Sequence, residues 1–179
     1  MIRPSFGRRI LSLLIDYALI LAWMALLTLS TVIAWAISGQ STDWLELGVG
    51  GAQLLGFLLL VVPVGIYLFA CEASSRHATV GKRVMRLRVV DETTTGAPAP
   101  WQVLVRTVVK LLPWEVAHFF VWQTIATVSA DSLVFPAWVM VGLILADVIP
   151  LVYVGFVLFH RERRGPHDLA AGTRVIRIR

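Results

Sequence analysis

The sequence predicts an all-α integral membrane protein, with four transmembrane helices in two hairpins and a small two-stranded β element on the cytoplasmic side. Three observations lead there. All 16 Lys and Arg residues of the 179-residue chain fall in three stretches, Arg3 to Arg9, Arg76 to Lys110 and Arg161 to Arg179. The blocks between them, Ile10 to Cys71 and Leu111 to His160, contain none, and each is long enough to cross a hydrocarbon core of roughly 30 Å twice. Finally, a composition of 58% hydrophobic and 15% charged residues, with a mean hydropathy of +0.78, exceeds what a soluble core of this size would bury.

Two crossings per block return the chain to its starting side. Because Lys and Arg flanking membrane spans are retained on the cytoplasmic side, all three basic stretches and both termini are expected there, in the cytoplasmic membrane. The outer connections then carry only acids, Asp43 and Glu46 in one and Asp131 in the other. A pI near 10.1 would also suit a nucleic-acid binder. The basic residues flank spans, however, so attraction to anionic inner-leaflet lipids explains them more simply, and Arg76, Lys82, Arg83, Arg106 and Lys110 are the expected headgroup contacts. The lone Cys71 excludes an intramolecular disulfide. Arg8 and Arg9 before an apolar run, with Ala34-Trp35-Ala36 downstream, resemble a secretory signal. The run is too long for one and contains Asp16, so an uncleaved anchor is expected.

The whole chain, 1–179, reads as one membrane domain. Its first span covers about 10–37 and its second about 48–71, with a turn-rich loop from Ser38 to Asp43 between them and Trp35 and Trp44 at the interface. Pro63 in the second span frees a backbone carbonyl, which a neighbouring helix is expected to satisfy. In the cytoplasmic loop, 72–110, Met85 to Asp91 alternates polar and apolar residues and reads as a strand, followed by a turn-rich stretch from Thr93 to Pro98. Trp101 to Lys110 reads as an amphipathic helix that places Arg106 and Lys110 on one face. The third span, about 111–128, and the fourth, about 133–160, are joined so briefly that they must be antiparallel. The C-terminal segment 173–179 alternates like the first strand, and the two are expected to pair. Leu87, Val89 and Val175, with Ile178 as a further candidate, would then face the membrane surface. Gly48, Gly50, Gly51, Gly56, Gly142 and Ala146 permit close helix approach, within the bundle or between copies.

Acids inside the apolar blocks are the candidate functional residues. Asp16 lies two turns into the first span and about 10 Å along the axis from Arg9, too far to pair with it. A carboxylate there needs a partner from elsewhere, such as Arg106 or Lys82. Asp147 sits near the middle of the fourth span, three residues before Pro150. A cation or proton site beside a weakened helix, and a protonated carboxyl bonded to a neighbouring helix, both fit that position. Glu115 and His118, three apart on the third span, suit a proton relay or polar groups at the interface.

Three segments carry a family resemblance: Arg9-Ile10-Leu11-Ser12-Leu13-Leu14-Ile15-Asp16, the run from Gly81 to Asp91, and His167-Asp168-Leu169-Ala170-Ala171-Gly172-Thr173-Arg174-Val175. In this order they resemble the RDD family of membrane proteins, named for one arginine and two aspartates. The resemblance maps these onto Arg9, with Arg8 as the alternative, Asp16 and Asp168. Arg86 departs from the pattern, standing where a small residue is frequent, and the turn after the first strand is Thr-rich instead of a tight Asp-Gly. The resemblance implies fold and location, and no established activity. It also places Asp168 at the inner surface after the last span, where its carboxylate is expected to bridge Arg9 in an ion-pair clasp.

Other chemistries find little support. His77, His118, His160 and His167 have neither metal nor haem spacing, so no metal or cofactor is expected. Gly81-Lys82 lacks the rest of a phosphate-binding loop, and its glycine is expected to permit a turn. No nucleophile stands in a recognisable catalytic context, which argues against an enzyme. Two functions are left: cation- or proton-coupled transport by an oligomer that uses Asp16 and Asp147, or a noncatalytic membrane assembly or protein-interaction module in which the acids are structural. The expected partners are anionic lipids and, for transport, further copies of the chain.

Overall fold

The computed structural model describes residues 4–40, 43–129 and 134–178. Asp131 and most of the connection ahead of the fourth expected span lie outside them, as do Ser41, Thr42 and Arg179.

Helix α1, Phe6–Ser38, starts at Ser5, whose Oγ accepts the Arg8 N–H, and stops at Gly39, which takes φ +68° and donates its N–H to Trp35 O. At 33 residues it is about 50 Å long, so its first turns extend beyond a hydrocarbon core. Only Ser12 and Asp16 are buried along it. The second rod opens with a 3₁₀ turn, Trp44–Leu47, and continues as α2, Gly48–Gly56. It widens into a π turn, Phe57–Val61, and ends as α3, Val62–Ala73. After α4, Val80–Val84, and β1, Leu87–Asp91, comes α5, Pro100–Ser129. This single 30-residue helix contains both the expected amphipathic segment and the expected third span. Helix α6, Ala137–Phe159, α7, Pro166–Ala170, and β2, Thr173–Arg177, complete the chain.

Three helical segments are long and apolar enough to cross a membrane: Phe6–Ser38, Trp44–Ala73 and Ala137–Phe159. Helix α5 is more polar and packs among α2, α3, α6 and α7, whereas α1 packs chiefly against α4.

Prolines inside these helices explain two inter-helix bonds. Pro63 has no N–H to offer the carbonyl four residues back, that of Leu59, and the Trp23 indole of α1 donates to it at 3.0 Å. Pro113 likewise releases the carbonyl of Val109, which accepts the Tyr153 hydroxyl of α6 at 2.7 Å. Each freed acceptor becomes a fastening between neighbouring helices. Small residues bring helices together within the bundle: a Cβ on Gly142 would fall 2.0 Å from the Phe120 ring, and one on Gly56 2.5 Å from His118 Nε2. Gly48 and Gly50 face open space.

The strands pair antiparallel, Leu87 opposite Arg177 and Val89 opposite Val175. Leu87, Val89 and Val175 form the expected cluster, with Met85 against it. Ile178 does not join them. By the two-residue period it belongs with Arg86 and Ile176 on the other face, and it is 40% exposed. That face is not simply arginine either, since Val90 and Ile176 are buried there. β1 begins later than expected because Arg86 takes φ +56° while closing α4 through its N–H to Arg83 O. This left-handed conformation gives a physical reason for a small residue at that position.

Tyr153→Phe leaves Val109 O without its donor and is expected to lower stability by about 1 kcal/mol, seen as a lower Tm in detergent.

Candidate functional site

Glu72, in the last turn of α3, has no exposed surface, and three cations from two elements converge on its carboxylate. Lys82 of α4 reaches Oε1 at 3.0 Å and Lys110 of α5 reaches it at 2.5 Å, while Arg106, one helical turn before Lys110, donates from Nε to Oε2 at 2.8 Å. Arg106 is 1% exposed, and its other arm donates through Nη1 to Asp168 Oδ1 and to Thr173 Oγ1. Asp168 is in the first turn of α7, where its Oδ2 accepts the Gly165 N–H at 3.2 Å. The Arg9 guanidinium of α1 lies 3.5 Å from the same oxygen and donates to Arg163 O at 2.5 Å. One network thus ties the start of α1, the end of α3, α4, α5, α7 and β2 together. The cations Arg9, Lys82, Arg106 and Lys110 surround only two carboxylates, Glu72 and Asp168. Arg164 adds a flank by pairing with Glu92 and donating to Asp168 O.

The Arg9–Asp168 bridge forms as expected, but three expected headgroup contacts do not. Lys82, Arg106 and Lys110 turn into the protein, because Glu72 would otherwise be a buried charge without a counterion. Arg76 is exposed, and Arg83 is half-buried, donating to Ala78 O and Ser74 Oγ. Glu72 was not singled out from the sequence because it follows the last apolar residue of the second span and reads as loop. The available signal was a lone acid at a span end facing basic segments that lacked acids of their own.

Asp16 pairs with neither Arg106 nor Lys82. Its carboxylate accepts the Tyr67 hydroxyl at 2.6 Å, the Thr79 hydroxyl at 2.6 Å and the Gly81 N–H at 2.9 Å. Neutral donors from α3 and α4 therefore satisfy it, and Lys82 touches this group only through Thr79 Oγ1, at 3.3 Å. Gly81 does not make a turn. It sits inside α4, where a Cβ would meet Ser12 O at 2.0 Å, so its bareness lets α4 press onto α1 and deliver its N–H to Asp16.

Glu115 and His118 do meet, with Oε2 3.4 Å from Nδ1. Gln53 of α2 donates to Glu115 Oε1 at 3.0 Å, and the Trp122 indole donates to His118 Nε2 at 2.9 Å. Because Nε2 accepts, a neutral His118 carries its proton on Nδ1, directed at Glu115. Asp147 is different. The buried line of α6 is Val139, Gly142 and Ala146, which leaves Asp147 exposed on the helix flank, and no hydrogen bond reaches it among the described residues. The expected bond to a neighbouring helix is absent there.

Burial lowers the Arg106 pKa from its ordinary value, against the pull of Glu72. Burial, followed by repulsion from Arg106 and Lys110, also holds His167 well below the usual imidazole value of 6.5. His167 stacks near Tyr153, with its Nε2 3.6 Å from Asp168 Oδ2. Two outcomes follow. Glu72→Gln strands three cations and is expected to cost roughly 3–5 kcal/mol, with Lys82→Gln milder because Lys82 is partly exposed. His167 stays neutral when folded but takes up a proton when unfolded below about pH 6.5. Its contribution is therefore complete above that pH and declines as the pH falls. Between pH 7 and 5 the Tm should drop in the wild type and drop less in His167→Gln.

No curated protein and no solved structure matches the chain. The model of the RDD family matches residues 3–172, from before the first helix to the edge of β2, and takes in Arg9, Asp16 and Asp168. With nearly its whole length matched and its apolar helices suited to a bilayer, this chain belongs to the RDD family of membrane-type proteins.

Proposed function

We propose that the chain spans the cytoplasmic membrane four times with both termini inside, and that it is a noncatalytic assembly module that pairs with a second copy of itself. The topology is supported by the clasp, which gathers residues from the starts of α1 and α5, the end of α3 and the segment after α6. Such a gathering fits two there-and-back crossings, with 111–128 of α5 as the remaining span. Positive residues place the clasp side in the cytoplasm.

The observation that carries the assembly reading is Asp147, turned outward at the middle of α6. A carboxyl facing lipid at that depth costs about 3 kcal/mol. Two copies related by a twofold axis would bring two such groups together, one protonated and donating to the other, and relieve that cost. Asp16 supports a structural role for the acids, since its oxygens already accept three hydrogen bonds from the protein. Cation- or proton-coupled transport by an oligomer is the second reading, favoured by the buried Gln53, Glu115, His118 and Trp122 chain.

Leu151 lies one turn from Asp147 on the same flank and is 69% exposed. In a Cys71→Ser background, Leu151→Cys should crosslink with a short bis-maleimide to twice the chain's mass, and less so when combined with Asp147→Leu. Dye labelling of Leu151→Cys without any such adduct would rule out the assembly reading. Proton flux in proteoliposomes that disappears in His118→Gln would establish the second.

A further inference from the structure

We infer that a cleft beside the β element binds a phosphate-bearing anion, independently of the proposed pairing through Asp147. The cleft, of about 350 Å³, is lined by Arg76 from the turn after α3, Arg83 from α4 and Arg88 from β1, with Ser75 at its edge and Leu87 and Ile178 among its apolar walls. That volume is within the range of small-ligand sites. Among the described residues no carboxylate lines it, in contrast to the clasp nearby, where every acid has a cation.

The three guanidinium groups are held to different degrees. Arg83 is anchored by Nε to Ala78 O at 2.8 Å and by Nη2 to Ser74 Oγ at 3.4 Å, which fixes its plane. The turn carrying Ser75 and Arg76 is tied to the sheet by the Val89 N–H, which donates to His77 O at 2.8 Å. Arg88 has a buried Nε with no hydrogen-bond partner, a donor already withdrawn from water and left unused. A buried unpaired donor of this kind is costly unless something occupies the site. Planar guanidinium forks and a hydroxyl facing one space match the oxygens of a phosphate better than they match a carboxylate-free surface in water.

The cleft opens directly after α3, where the second apolar segment ends, which is the height of phospholipid headgroups in the proposed topology. An anionic phospholipid and free phosphate offer the same oxyanion, and both can be tested. Purified full-length protein in dodecyl maltoside is titrated with phosphatidylglycerol, phosphatidylcholine or inorganic phosphate, and the rise in Tm gives an apparent affinity. Arg76→Gln with Arg88→Gln spares the anchored Arg83, and each single variant is compared with Arg161→Gln, an equal loss of charge elsewhere. The double variant is expected to weaken phosphatidylglycerol binding about tenfold or more, with Arg161→Gln near wild type. Competition by millimolar inorganic phosphate would identify a free-phosphate site, and a response to phospholipid alone would identify a headgroup site. Equal losses in Arg88→Gln and Arg161→Gln, or wild-type affinity in the double variant, would overturn the inference.

Discussion

The fold turns on a carboxylate that cannot stand alone. Glu72 is withdrawn from water at the end of α3, and burying its charge is tolerable only while Lys82, Arg106 and Lys110 remain against it. Those cations sit on segments that follow α3 in the chain, so α4 and the first part of α5 must fold back beneath the helix that carries the acid. Arg106 then passes the constraint on, because the arm that Glu72 does not use meets Asp168 and Thr173. Through Asp168 the network reaches Arg9 at the start of α1. Six elements far apart in sequence are thus oriented by one chain of alternating charge.

Hydrogen-bond accounting in an apolar surrounding governs the helices above the clasp. Prolines there remove donors that water is not present to replace, and each freed carbonyl examined in α3 and α5 is met by an aromatic polar tip from another helix, Trp23 or Tyr153. Asp16 follows the same rule with three neutral donors, which is why it needs no cation. Glycine has a complementary part. At Gly81 and Gly142 a missing Cβ sets how closely α4 approaches α1 and α6 approaches α5, and the first of these approaches is what brings an amide to Asp16. Asp147 is the exception, an acid on an apolar helix that the described residues leave without a partner, and for that reason it points outward from the chain.

Much of this was legible in the residues alone. The clustering of Lys and Arg marked the apolar blocks, period-two alternation located both strands and their shared face, and Pro63 announced a free carbonyl. The spacing of Arg106 and Lys110 put both on one helix face, though the wrong environment was expected for it: lipid headgroups instead of a buried acid. The error has a physical origin. Charge in a sequence tells how many cations lie near a membrane surface, but whether they face lipid or protein depends on an acid that packing brings in, and Glu72 is ordinary in sequence. Ile178 was placed on the wrong strand face although the two-residue period itself assigns it to the other.

The sequence by itself determined the apolar helices, the two strands and the RDD membership, because these rest on local periodicity, composition and motif order. Only the tertiary structure decided which charges meet. It chose Glu72 as the hub, gave Asp16 hydroxyl and amide donors, joined Glu115 to His118 and Gln53, and left Arg76, Arg83 and Arg88 around a common cleft. Ion pairing is settled over a few ångströms between segments distant in the chain, and burial sets the strength of each pair, so neither can be read from local pattern.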